Sequence, residues 1–129
     1  MKFPKSIKVY GDIKYRGPCS PESAEQITLF NQLSPKLRAI ALHPRNEGKR
    51  TPGQVMRHKA EGMTTGAADI IIIGSPPFVC ELKRMDHTKS KISPEQIAFL
   101  NNCQDAGAFV CIALGWKGVV DAIADWQKA

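Results

Sequence analysis

Aromatic residues are scarce, 7% of the 129 residues, and no apolar run comes near the roughly 20 residues that a membrane-spanning helix needs. The first ten residues carry Lys2, Lys5, Lys8 and Pro4 where a signal peptide would have an apolar stretch, so a cytoplasmic protein is expected. Neither C-x-x-C pairs nor Cys/His spacings of the zinc type occur among Cys19, Cys80, Cys103 and Cys111, which excludes the usual structural zinc and disulfide frameworks. Cys80, Cys103 and Cys111 lie among apolar residues and read as reduced, small hydrophobic side chains. Internal repeats and low-complexity linkers are also missing. What is present is the composition of an ordinary globular chain, 43% hydrophobic and 23% charged, of a length that predicts a single domain over residues 1–129.

Negative charge is in deficit, and unevenly. Eighteen Lys and Arg against twelve Asp and Glu give +6. Residues 1–91 hold sixteen basic and eight acidic side chains, or +8, while residues 92–129 hold two and four, or −2. The basic groups gather in Lys2, Lys5, Lys8, Lys14 and Arg16, in Arg45, Lys49, Arg50, Arg57 and Lys59, and in Lys83, Arg84, Lys89 and Lys91. Such clusters suit a polyanion whose phosphates they neutralise. Scattered lysines on a solvated surface are the simpler alternative.

Four Ser-Pro or Thr-Pro pairs, at Ser20, Ser34, Thr51 and Ser93, read as helix N-caps followed by proline in the first helical position. Thr51 with Gln54 and Ser93 with Gln96 extend to capping boxes. Helices are predicted over about 21–33, over 52–61 closed by Gly62, over 94–106 ending at Gly107, and as an amphipathic tail through Val119, Ile123 and Trp126. Strands are predicted at 67–73 and 78–83, joined as a hairpin through Gly74-Ser75-Pro76-Pro77, at 108–114 and, more weakly, at 37–42. The alternation implies an α/β fold, a small mixed central sheet flanked by helices.

Each strand of the hairpin carries an acid in apolar surroundings: Asp69 before four isoleucines, and Glu81 within Phe78–Lys83. Carboxylates are costly to bury without a partner or a metal. Glu81 and Lys83, two apart, share a face from which Leu82 is turned away. Two converging carboxylates and a lysine suit metal-assisted phosphodiester hydrolysis, with hard oxygen ligands selecting Mg²⁺, for which Mn²⁺ is expected to substitute. If both carboxylates bind one metal they must lie opposite each other. That register also pairs Ile72 with Phe78 and leaves a loop of five residues, 73–77, or of three if Ile73 pairs with Pro77, whereas an even loop would send Asp69 to the other face unless a bulge absorbs one residue.

Asp69, then Glu81-Leu82-Lys83, then Ser93-Pro94-Glu95-Gln96 resembles the D…E-x-K…S-x-x-Q signature of the virus-type replication-repair nucleases (VRR-NUC), a branch of the PD-(D/E)xK superfamily. Glu22-Ser23-Ala24-Glu25-Gln26 is similar to the family's helix-borne Glu with Gln four residues on, and residues 43–50 resemble the Asn- and Gly-containing stretch of its phage members. Ala68 departs from the family's usual proline. The resemblance implies a restriction-endonuclease-like core and makes Asp69, Glu81 and the Leu82 carbonyl ligands of Mg²⁺ and Lys83 the catalytic lysine. It also makes Glu22 the helix-borne glutamate acting through water, with Glu25 as the alternative three residues on, and adds Gln96 to the catalytic set. Lys49, Arg50, Lys59 and Arg84 become candidates for binding nucleic acid. Glu22 can equally be a first-turn acid favoured by the helix dipole, and Gln96 a capping amide only. His43, His58 and His87 offer no ligand spacing. The implied function is a Mg²⁺-dependent endonuclease acting on branched or flap DNA in phage replication, repair or recombination, probing junctions as a homodimer in the host cytoplasm. A non-catalytic basic binding module and a single-strand or RNA-directed nuclease are the alternatives.

Overall fold

The computed structural model describes residues 1–44 and 51–129. In chain order it contains β1 (Lys8–Tyr10), α1 (Glu22–Gln32), α2 (Pro35–Arg38), β2 (Ala41–Leu42), α3 (Pro52–Ala60), β3 (Ile70–Ile72) and β4 (Phe78–Lys83). A single 3₁₀ turn at His87–Lys89, then α4 (Pro94–Asp105), β5 (Phe109–Leu114) and α5 (Gly115–Lys128), complete it. The strands form one sheet in the order β1-β5-β4-β3-β2. β4 runs parallel to β5 and β5 to β1, while β3 is antiparallel to β4 and to β2, so the sheet is mixed as expected.

Side-chain alternation along β4 builds two cores from one strand. Phe78, Cys80 and Leu82 point to one face and pack with Leu29 of α1 and Val119, Ala122 and Ile123 of α5. Val79 points to the other, where Leu100 of α4 meets Val110, Ile112 and Ala68. Glu81 and Lys83 share that second face by parity. Because β4 is flanked by two strands and covered on both faces, all six of its residues are buried, its two charges included.

The capping signals hold at three of four places. Thr51 and Ser93 form complete capping boxes with Gln54 and Gln96, and Ser34 accepts from Leu37 N–H. Ser20 does not cap α1: the N-cap is Pro21, with no side-chain hydrogen bond. The Cys19 and Ser20 carbonyls are held instead by Arg84, whose Nη2 and Nε donate to them at 2.8 and 3.2 Å. The strand expected over 37–42 shortens to Ala41–Leu42, because Ser34-Pro35 starts one helical turn that consumes Leu37 and Arg38. β1 has no counterpart in the expected elements. It is a three-residue edge strand set among lysines, where alternation has too little length to register. Among the described residues no helix is long and apolar enough to cross a membrane.

Candidate active site

The hairpin has the register a shared site requires. Ile70 pairs with Cys80, Ile71 with Val79 and Ile72 with Phe78, which leaves 73–77 as the loop and places Asp69, one residue before β3, across from Glu81. The Asp69 carboxylate Oδ2 accepts from Leu82 N–H at 2.9 Å. Backbone N–H and C=O of an extended residue leave a strand on the same side, so the Leu82 carbonyl is presented to the edge where Asp69 stands. Glu81 is 1% exposed. Its Oε1 accepts from Gln96 Nε2 at 3.1 Å and lies 3.6 Å from Lys83 Nζ, while its Oε2 is buried with no hydrogen-bond partner. Burial and then the charge of Asp69 push the Glu81 carboxyl up to about 10, with Lys83 opposing and Glu22 adding to the rise. The site is short of positive charge.

Lys83 is equally enclosed, 2% exposed. Its ammonium donates to the Lys91 carbonyl and to Gln96 Oε1, at 3.4 Å in the latter case, and pairs with Glu81, so all three of its hydrogens have an acceptor nearby. Gln96 closes the cap and at the same time contacts Glu81, so the cap does not keep its side chain from that carboxylate. Its Oε1 accepts from Ser93 N–H to close the capping box, and its Nε2 reaches Glu81. An amide has two chemically different ends, and α4 begins close enough to β4 for each to be used.

Glu22 and Glu25 separate cleanly. Glu25 is buried, and its Oε2 accepts from Trp116 N–H at 2.6 Å, capping α5, whose N-cap Leu114 has no side chain able to do so. Glu22 is half-buried and is one of the charges felt by Glu81. Its Oε2 accepts from Ser90 Oγ at 2.8 Å, and the same hydroxyl accepts from Arg84 N–H at 3.0 Å. Two substitutions should therefore diverge. Glu25→Ala is expected to cost about 1–3 kcal/mol by uncapping α5, a fall of several degrees in Tm, with kcat little changed. Glu22→Ala is expected to lower kcat with a small change in Tm. Calorimetric melting beside cleavage kinetics decides, and a Glu25→Ala variant that melts like wild type would contradict the cap.

Among the residues expected to touch nucleic acid, Lys59 is exposed at the end of α3, Arg84 is half-buried and donates through Nε and Nη2 to two carbonyls, and Lys49 and Arg50 lie outside the described residues. No spacing or motif singles out Ser90, and His43 stands out in the sequence only as the first residue of the 43–50 stretch. Ser90 comes to Glu22 from 68 positions away, and His43 Nδ1 lies 2.7 Å from the Asp69 carbonyl. Gln26, notable in the sequence only for its spacing from Glu22, donates through Nε2 to that same carbonyl at 3.3 Å.

Among the described residues no group of three or more His, Cys, Asp or Glu side chains gathers at metal-binding spacing, so the carboxylates that face each other across the hairpin are a pair. A pair suits Mg²⁺, which keeps several waters and takes one or two carboxylates together with substrate phosphate. The unpartnered, buried Glu81 Oε2 and the raised proton affinity of its carboxyl are what a cation would relieve.

No protein-family model and no curated protein matches the sequence. A solved structure described as "VRR_NUC domain protein" matches with a TM-score of 0.68 and 21% identity, covering 88% of this chain and 92% of that chain. The fold is thus the one that the D…E-x-K…S-x-x-Q resemblance implied.

Proposed function

We propose that the chain is a Mg²⁺-dependent nuclease that hydrolyses phosphodiester bonds of branched or flap DNA. The observation that carries this reading is a buried carboxylate, Glu81, with one oxygen unpartnered and with Asp69 and Lys83 beside it. Asp69, Glu81 and the Leu82 carbonyl would hold the ion, which when bound supplies positive charge for the phosphoryl oxygens and acidifies water. Gln96 Nε2 donates to Glu81 Oε1, and Oε2 is the oxygen left without a hydrogen-bond partner and open to the ion. Lys83, held by three acceptors, keeps its ammonium beside Glu81, where it can orient the nucleophile and exchange a proton with it. Glu22, steadied by Ser90, acts on the site through water.

A role in phage replication, repair or recombination belongs to the same proposal and rests on the motif resemblance. So does action as a homodimer, for which exposed Ile40, Leu42 and Ile73 at the β2 edge offer an apolar surface. Cleavage of duplex, flap, four-way junction and RNA substrates, with Mg²⁺ and with EDTA, tests the activity. Mg²⁺-dependent cutting concentrated on flap or junction is the expected result, and no cutting of any substrate would overturn it. DNA binding should also weaken steeply with salt. Neutralising Lys49, Arg50 and Lys59 together is expected to flatten the plot of log K against log salt by about one unit for each phosphate deprived of its cation, and an unchanged slope would remove those residues from the interface.

A further inference from the structure

We infer that His43 and Gln26 are paired positioning residues for Asp69, an inference that rests on reading Asp69 as a metal ligand. Both donate to one acceptor, the Asp69 backbone carbonyl: His43 through Nδ1 at 2.7 Å from just beyond β2, and Gln26 through Nε2 at 3.3 Å from α1. A carbonyl oxygen only accepts, so the hydrogen is on Nδ1 of His43. Asp69 precedes the first ladder pair of β3, Ile70 with Cys80, so no ladder pair supplies a partner for its carbonyl. Two donors from two different elements occupy both lone pairs of the carbonyl and set that peptide plane. The other end of the residue is fixed separately, its carboxylate by Leu82 N–H at 2.9 Å. Asp69 is therefore clamped from the backbone by α1 and the β2 exit, and from the side chain by β4. The carboxylate is left aimed along the strand edge toward Glu81. Neither His43 nor Gln26 is assigned a chemical step.

Supporting groups of this kind commonly govern metal affinity by about 10–100-fold. The test is Mn²⁺ binding to the DNA-free protein by isothermal titration calorimetry, with melting in EDTA measured alongside. The double variant His43→Leu, Gln26→Leu is expected to bind Mn²⁺ at least about tenfold more weakly than wild type. His43→Asn, whose amide nitrogen can occupy the place of Nδ1, should bind nearly as wild type does. His43→Gln puts its amide one atom further out and should not. A purely structural role would lower Tm without separating Asn from Gln, so equal Mn²⁺ affinities for those two variants would overturn the inference even if the double variant failed to fold. Wild-type binding with an unchanged double variant would overturn this inference alone, and a wild-type protein that binds no Mn²⁺ would overturn the metal-site reading and this inference with it.

Discussion

Glu81→Gln is expected to abolish Mg²⁺-dependent cleavage, by at least about 1000-fold, while raising the melting temperature of the metal-free protein. The two effects have one cause. Glu81 is enclosed with Asp69 nearby, and its Oε2 has no partner, so without a cation the anion is unwelcome and the carboxyl is pushed up to about 10. Its folded-state proton affinity thus exceeds that of the unfolded chain. The stabilising contribution is fully present below the ordinary carboxylate range and is lost as pH rises toward about 10. Glutamine keeps the oxygen that accepts from Gln96 and loses the titration. The Tm gap between variant and wild type in EDTA should therefore widen from pH 5 to pH 8, and Mg²⁺ should raise the Tm of wild type only. Asp69→Asn is expected to lose cleavage likewise while keeping an oxygen for Leu82 N–H, which Asp69→Ala would leave unpaired. Metal-dependent cleavage retained in both variants would remove Asp69 and Glu81 from the catalytic site, and a Tm gap independent of pH would show that the Glu81 charge is not what strains the metal-free fold.

Gly66→Ala should be the most damaging alanine substitution among the described glycines. Gly66 has φ +81°, and a Cβ there would stand 2.5 Å from the Glu95 carbonyl carbon and oxygen and 2.8 Å from Gln96 N. Those are backbone atoms of the first turn of α4, which cannot swing aside as a side chain can. The left-handed conformation costs alanine about 1 kcal/mol and the overlap about 1–3 more, a fall of roughly 10 °C in Tm. Gly62→Ala is the matched control, with φ +102° and no atom within 4 Å of the added carbon. It should show the conformational cost alone. Because the crowded turn carries Gln96, only the Gly66 variant should also lose activity through a displaced Glu81. Equal melting of the two variants would mean that α4 does not sit against this turn as described.

Local rules carry far in this chain because the relevant forces are local. Thr51 with Gln54 and Ser93 with Gln96 are capping boxes in the sequence and in the structure, since a cap joins groups three residues apart whatever surrounds it. The hairpin is legible from β-rich runs and a Gly-Ser-Pro-Pro turn, and its register from the requirement that Asp69 and Glu81 meet. Where a local rule fails, a distant group intervenes. The Ser20-Pro21 signal gives way because Arg84, 64 positions on, holds the Ser20 carbonyl. β1 is silent in the sequence because its pairing with β5 lies about a hundred residues away in the chain, and three residues on an edge carry no periodic signal of their own.

Spacing along the chain is enough to establish the acid and lysine pattern of the hairpin, three of the four signalled helix caps and the mixed α/β architecture, because backbone geometry sets the repeat of a strand and of a helical turn. Which glutamate of α1 caps α5 and which lies within electrostatic reach of Glu81 is settled by packing instead. Glu22 and Glu25 are three residues apart on one helix surface, and the distinction between them is made by Trp116 N–H on α5 and Ser90 before α4. Packing likewise lets Gln96 span cap and site at once and brings His43 and Gln26 together on Asp69. Those hydrogen bonds join groups whose separation in the chain is unrelated to their separation in space, and hydrogen bonds act only at the second.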